Sequence, residues 1–372
     1  MQKQVREQRH HHVVEERPCT RAGPHRGRMA RRAADRPEHL LAGLLGGPNR
    51  PSCQRRKETH EGRKVVDAAA AGARVAHVFW IRKRIAQLDL LWPDAKGDLG
   101  REEVIGDAPY VIDLAFSFGD SSWEYLEQVG IGGARNVAES CLRKKVKRLI
   151  YTSTIGVLDM SSPNNIITDA TGPDPQFATR DPYSKFKSIC EHFLLEMHRE
   201  KGLNVCIFRP GLVIGEEGNP YHSGVAKFYN KQHATCLGDG THPLPFVLVT
   251  DTAEAYYLAL TKPGIDGKSF NLVGDVRLTA REYVAELSNV LERPIKFVRL
   301  RPWQMKSTGV LRWILKMACG RFESLPNFHD MNCAGLYGYF DNQEVKQALG
   351  WQPVTERTQF LLEGIAHHRK IR

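Results

Sequence analysis

A chain of 372 residues and 42.0 kDa, 41% hydrophobic and 26% charged, has the composition of a globular protein with a sizeable core, which excludes collagen-like, coiled-coil and wholly disordered classes. No apolar run reaches the ~18–20 residues of a membrane-spanning helix, so stable membrane insertion is not expected. The net charge of +11 is concentrated at one end: residues 1–64 hold 16 Lys and Arg against 7 Asp and Glu, and no aromatic residue precedes Phe79. Basic residues without interleaved stacking side chains do not make a nucleic-acid surface, so no nucleic-acid partner is expected. The eight cysteines form no C-x-x-C pair, which reads as a reducing cytoplasm.

Residues 1–64 are too poor in apolar surface to offset their ordering entropy and are expected to be a disordered or non-native head. His10–His12 read as solvated rather than metal-bound, and Glu15, Glu16, Asp35 and Glu38 argue against a targeting peptide. The composition matches GC-rich DNA translated in a shifted frame, which predicts that a first β-α unit has been replaced. From about residue 73, apolar runs alternate with amphipathic helices. Strands are expected at Ala73–Trp80, Tyr110–Phe116, Val146–Ser153, Val205–Phe208 and Phe246–Val249. Helices are expected at Trp123–Arg143, Tyr183–Lys201, Thr252–Leu260, Thr279–Leu291 and near Thr358–His368. Within Tyr183–Lys201, begun after Asp181-Pro182, the apolar face is Phe186, Ile189, Phe193, Leu194 and Met197. The fold class is α/β, with a parallel sheet.

Tyr183 and Lys187, at i and i+4, share one helical face. A phenol is a poor base at neutral pH, and an adjacent ammonium favours its ionised form. Thr154, at the carboxyl end of the Val146–Ser153 strand, can hold a substrate oxygen beside that phenol. The three suit proton movement coupled to hydride transfer by a cofactor.

The runs RLIYTST (148–154), DPYSKFK (181–187) and FRPGLVIG (208–215) resemble the extended short-chain dehydrogenases/reductases, the NAD-dependent epimerase/dehydratase family. Gly97-Asp98-Leu99, Val111–Ala115, FVLVTDTAEA (246–255) and Phe340–Pro353, ending in ALGWQP, agree in order and spacing. The resemblance covers about residues 73–368. It implies a doubly wound, Rossmann-like dinucleotide-binding domain over 73–250 and a smaller, mainly substrate-binding region over 251–372. It makes Tyr183 the catalytic acid/base, Lys187 its partner and a ligand of the nicotinamide ribose, and Thr154 the active-site hydroxyl. It also assigns cofactor contacts to Asp98, Leu99, Ala115, Arg209 and Pro210. The implied partners are a small-molecule substrate and NADP or NAD, and a homodimer is admissible.

The family's T-G-x-x-G-x-x-G turn, whose amides meet the pyrophosphate, has no match before residue 73. Gly43–Gly47 is followed by Pro48, and Gly130-Ile131-Gly132-Gly133 follows a helical run. Losing two amide–phosphate bonds removes about 3–6 kcal/mol, which predicts cofactor binding in the millimolar range or not at all. A catalytically impaired binding module is therefore a further reading. Arg82, Lys83 and Arg84, with no acid before Asp89, favour NADP over NAD. Ile155 and Gly156 after Thr154 exclude the Asp-Glu pair of sugar dehydratases. Gly238-Asp239-Gly240-Thr241 points to a nucleotide-sugar epimerase or reductase. The apolar insert Val310–Ala318 points instead to a hydroxysteroid-dehydrogenase-like reductase of a lipophilic alcohol, with the insert a lid or core helix rather than a membrane-surface one.

Overall fold

Four parallel strands form the central sheet of the computed structural model, which describes residues 105, 108–114, 122–320 and 325–370. The head at 1–64, the expected strand Ala73–Trp80 and the predicted cofactor contacts Arg82, Asp98, Leu99 and Ala115 lie outside the described residues. The strands are β1 (Tyr110–Asp113), β2 (Arg148–Thr152), β3 (Val205–Pro210) and β4 (Ser269–Leu272), paired in that order. Side chains alternate along a strand, and here both faces are covered. Leu149, Tyr151, Val205 and Ile207 enter one core, while Ile150, Cys206 and Phe208 enter the core on the opposite face. This is the doubly wound arrangement expected.

Two helices cover the first face. The α1 helix opens at Trp123–Tyr125, winds as a π-helix over Leu126–Ile131 and closes over Gly132–Arg143. Within the π turn Gly130 lies against the Phe186 ring, where an added Cβ would stand 3.2 Å from two ring carbons. The α2 helix (Pro182–Lys201) starts where Asp181 accepts hydrogen bonds from the N–H groups of Tyr183 and Ser184, with Pro182 at the first helical position. It stops at Gly202, whose φ of 71° is the left-handed conformation of a helix C-cap. Cys190, not the expected Ile189, takes the core position, and Ile189 is half-buried.

The α3 helix (Val249–Thr261) covers the other face beside the Gln343–Leu349 helix. Arg148, at the start of β2, bonds Asp266 with both Nε and Nη2 at 2.7 Å and donates from Nη1 to the carbonyls of Ala259 and Lys262, closing the end of α3. The Trp351 indole N–H donates to the Asp251 carbonyl at 2.9 Å, and the Asp251 carboxylate accepts the Val354 N–H. The FVLVTDTAEA and ALGWQP runs are thereby one unit.

The sheet continues past residue 250, because β4 pairs with β3 in parallel. Between them the chain makes an excursion that pairs Leu212–Ile214 with Phe246–Leu248 and Lys227–Tyr229 with His233–Leu237, which also pairs with Lys296–Leu300. A separate core including Leu212, Phe246, Tyr283, Leu287 and Phe360 holds this second lobe together, so it draws on residues from both sides of position 250. The Pro302–Ala318 helix has no buried residue and exposes Trp303, Leu311, Ile314 and Leu315. Among the described residues no helix is long and apolar enough to cross a membrane.

Candidate active site

Thr154 is extended and caps the short turn Ile155–Val157, accepting the Gly156 N–H at 3.1 Å. A Cβ at Gly156 would lie 3.1 Å from Ser184 Oγ and 3.3 Å from the Thr154 side chain, so glycine lets this turn lie close to the start of α2. Tyr183 stands on the first turn of α2, its ring edge-on to Phe186 with centroids 5.5 Å apart. The Thr154 hydroxyl bonds the Tyr183 phenol. Cap, turn and glycine together bring these two hydroxyls into contact.

Burial pushes the Tyr183 phenol up to about 12, against the pull of the Thr154 hydrogen bond and with help from nearby Asp181. The expected lowering by Lys187 is not found. Its ammonium turns to the strand, donating to the Thr152 carbonyl at 2.7 Å and lying 4.7 Å from the Tyr151 ring centre. Burial lowers the Lys187 pKa, opposed by the Asp113 carboxylate, then by Cys190 and Glu191. Thr152 links this floor to α3, with its hydroxyl 3.0 Å from that of Tyr256.

Lys187 is nearly fully buried, yet its three N–H groups have one hydrogen bond among the described residues. An ammonium with spare donors at the carboxyl end of a parallel strand fits the ribose hydroxyls of a dinucleotide. Arg209 is placed differently from expectation. Its guanidinium bonds Glu191 through Nε and Nη2 and the Thr171 carbonyl through Nη1, all within the core. Its charge is thus paired inside the core, and the next residue, Pro210, ends β3.

Asp113 and Glu191 were not singled out from the sequence. Asp113 closes the YVID strand, where a buried carboxylate ending a half-buried apolar run calls for a cation. Glu191 lies one turn after Lys187 on the buried face of α2, and a carboxylate in such a stripe requires a partner.

The model of the NAD dependent epimerase/dehydratase family matches residues 56–272, beginning ahead of Ala73. Among curated proteins the chain is 25% identical over 196 residues to the sterol-4-alpha-carboxylate 3-dehydrogenase (decarboxylating) of Candida albicans, covering 48% of this chain and 55% of that protein. It is 30% identical over 155 residues to the short-chain dehydrogenase/reductase family 42E member 1 of Macaca fascicularis, covering 38% and 39%. The chain thus spans about half the length, or less, of these relatives. Among solved structures, UDP-glucuronic acid 4-epimerase from Bacillus cereus, in complex with UDP-glucuronic acid and NAD, superposes with a TM-score of 0.54 at 20% identity, covering 74% of this chain and 78% of that one. The crystal structure of gox2253 superposes with a TM-score of 0.60 at 19% identity, covering 74% and 83%. With a family match across more than half its length and the family's parallel sheet, the chain belongs to the NAD dependent epimerase/dehydratase family.

Proposed function

We propose that the chain is an NAD(P)-dependent oxidoreductase that interconverts a secondary alcohol and a ketone on a lipophilic, hydroxysteroid-like substrate. The contact between the Thr154 hydroxyl and a Tyr183 phenol kept protonated by burial carries the chemistry. A protonated phenol can give its proton to a ketone oxygen as charge develops there, and Thr154 can hold that oxygen beside it. Lys187, anchored on Thr152, would hold the cofactor ribose with its remaining N–H groups. The nicotinamide, when bound, supplies or accepts the hydride. Arg82-Lys83-Arg84 supports NADP.

Two observations favour a lipophilic substrate. Matched curated relatives include sterol dehydrogenases, and the Pro302–Ala318 helix turns large apolar side chains outward where the sequence reading expected a lid or core helix. The nucleotide-sugar reading keeps the fold-level likeness to the UDP-glucuronic acid 4-epimerase, while the Gly238–Thr241 turn it started from closes on itself. There Asp239 Oδ1 accepts both the N–H and the hydroxyl of Thr241, and its carbonyl accepts the Arg281 Nε–H. The deciding experiment supplies the full chain with NADPH and 3-ketosteroids, and separately with NAD and UDP-sugars. Oxidation of NADPH by a ketosteroid supports the proposal; epimerisation of a UDP-sugar without ketosteroid turnover overturns it.

A further inference from the structure

Away from the Tyr183 cleft, four side chains converge from distant parts of the chain: Asp159 and Asp174 from the segment following β2, and His329 and Cys333 from the Phe328–Cys333 helix. One donor atom from each lies within 4.8 Å of all the others. We propose that these residues bind one divalent transition-metal ion, best matched by Zn²⁺, which fastens the Phe328–Cys333 helix to the segment leading into the catalytic helix.

Donor chemistry and spacing carry the assignment. Thiolate, imidazole and carboxylate together are a zinc-type set, whereas Mg²⁺ and Ca²⁺ sites are built from oxygen. Bonds of ~2.3 Å to sulfur and ~2.0 Å to nitrogen or oxygen, at the tetrahedral angle, separate sulfur from either atom by about 3.5 Å. Here Cys333 Sγ is 3.7 Å from His329 Nε2 and 3.8 Å from Asp159 Oδ1. These distances are long for strong hydrogen bonds and close to the separation of two ligands on one ion. His329 Nε2 and Asp174 Oδ2, at 2.7 Å, need to part by about half an ångström. His329 and Cys333 are one helical turn apart, which puts both on one face.

Neighbouring groups already orient the ligands, as at structural metal sites. Arg180 donates from Nη1 to Asp174 Oδ2 at 2.8 Å and to the Leu158 carbonyl, and Gln176 N–H donates to Asp174 Oδ1. Ser161 N–H donates to Asp159 Oδ1 at 2.9 Å. Asp174 and Cys333 are almost fully buried, and four protein ligands make a closed, structural site. Binding replaces the His329–Asp174 hydrogen bond with two metal bonds, so the neutral imidazole carries its proton on Nδ1. The Cys333 thiol proton leaves to solvent, one proton per ion.

Asp330, between the two helical ligands, accepts from Arg180 Nε at 2.8 Å and from the Asp181 N–H at 3.2 Å. Asp181 caps α2 two residues ahead of Tyr183, so the ion would brace the start of the catalytic helix.

Co²⁺ titration of the full-length chain tests this without reference to catalysis. One equivalent is expected to produce tetrahedral visible bands together with a near-ultraviolet thiolate-to-cobalt band, and Zn²⁺ to erase them. The sulfur band is the required signal, because His10–His12 can bind cobalt without it. Cys333→Ser should abolish the band, Asp159→Asn should weaken Co²⁺ binding at least 10-fold, and Cys319→Ser, at an exposed cysteine, should change nothing. Absence of a thiolate band in the wild-type chain at one equivalent, or its full retention in Asp159→Asn or folded Cys333→Ser, overturns the proposal.

Discussion

Glu191 and Arg209 form an ion pair inside the core, with Arg209 Nη2 2.6 Å from Glu191 Oε2, and so tie helix α2 to strand β3. Removing one member of such a pair strands a buried charge and costs about 3–5 kcal/mol, whereas replacing both with apolar groups of similar volume is often close to neutral. Arg209→Met is expected to lose that much stability in urea unfolding, and Glu191→Met/Arg209→Met to recover most of it. A double variant that loses the sum of the two single effects would show that the residues act independently.

Tyr183→Phe removes the proton carried by the phenol and leaves the ring against Phe186. Turnover should fall by about 10²–10⁴ with cofactor affinity nearly unchanged. Thr154→Val, which loses the hydroxyl bonded to that phenol, should lower turnover by about 10–10². Stopped-flow turnover alongside calorimetric cofactor binding makes the check, and a fully active Tyr183→Phe enzyme rules out the acid/base role.

Burial raises Asp251 from 3.8 to about 7, opposed by its hydrogen bond from Val354. The folded state therefore holds this proton at pH values where the unfolded chain has released it. The contribution to stability is fully present below about pH 4 and is lost as pH rises through about 7, with Asp169, raised to about 6, acting in the same sense. Asp251→Asn keeps a carbonyl for Val354 and cannot ionise, so its urea midpoint should fall less steeply between pH 4 and 8 than that of the wild type. Parallel slopes for the two proteins would exclude Asp251 as the source.

Gly211 sits where β3 hands the chain to the second lobe, and an added Cβ would run into the Pro245 carbonyl oxygen. That oxygen accepts the Leu212 N–H at 2.8 Å, the bond that starts the Leu212–Ile214 pairing with Phe246–Leu248. Gly211→Ala should cost about 1–3 kcal/mol in thermal or urea unfolding. An unchanged midpoint would mean that the crossing relaxes freely.

Local chemistry made part of this architecture legible in the sequence. Asp181-Pro182 announces the start of α2, and the apolar runs expected as strands at Val146–Ser153 and Val205–Phe208 overlap the observed β2 and β3. Strand β4 was missed because Ser269–Leu272 is four residues long and has no alternation to separate it from a loop. The pairing of Arg209 with Glu191, and the convergence of Asp159 and Asp174 with His329 and Cys333, join residues far apart in sequence. Periodicity reports which face a side chain occupies, not which distant segment meets that face. For Lys187, spacing placed the ammonium on the same helical face as Tyr183, but its direction was decided by the Thr152 carbonyl and the attraction of Asp113.

The pairing of β3 with β4 also affects how the chain reaches its native state during synthesis. Val205–Pro210 leaves the ribosome with a row of peptide groups facing empty space, and the strand that covers them, Ser269–Leu272, follows only after the intervening residues 211–268 have been made. Such an edge is a template for another nascent chain, and long-range parallel pairing is slow to form. Yield in cell-free translation should therefore depend on chaperones up to the point at which residue 272 emerges, and a peptide carrying the Ser269–Leu272 sequence should compete for that edge in chains stalled before it.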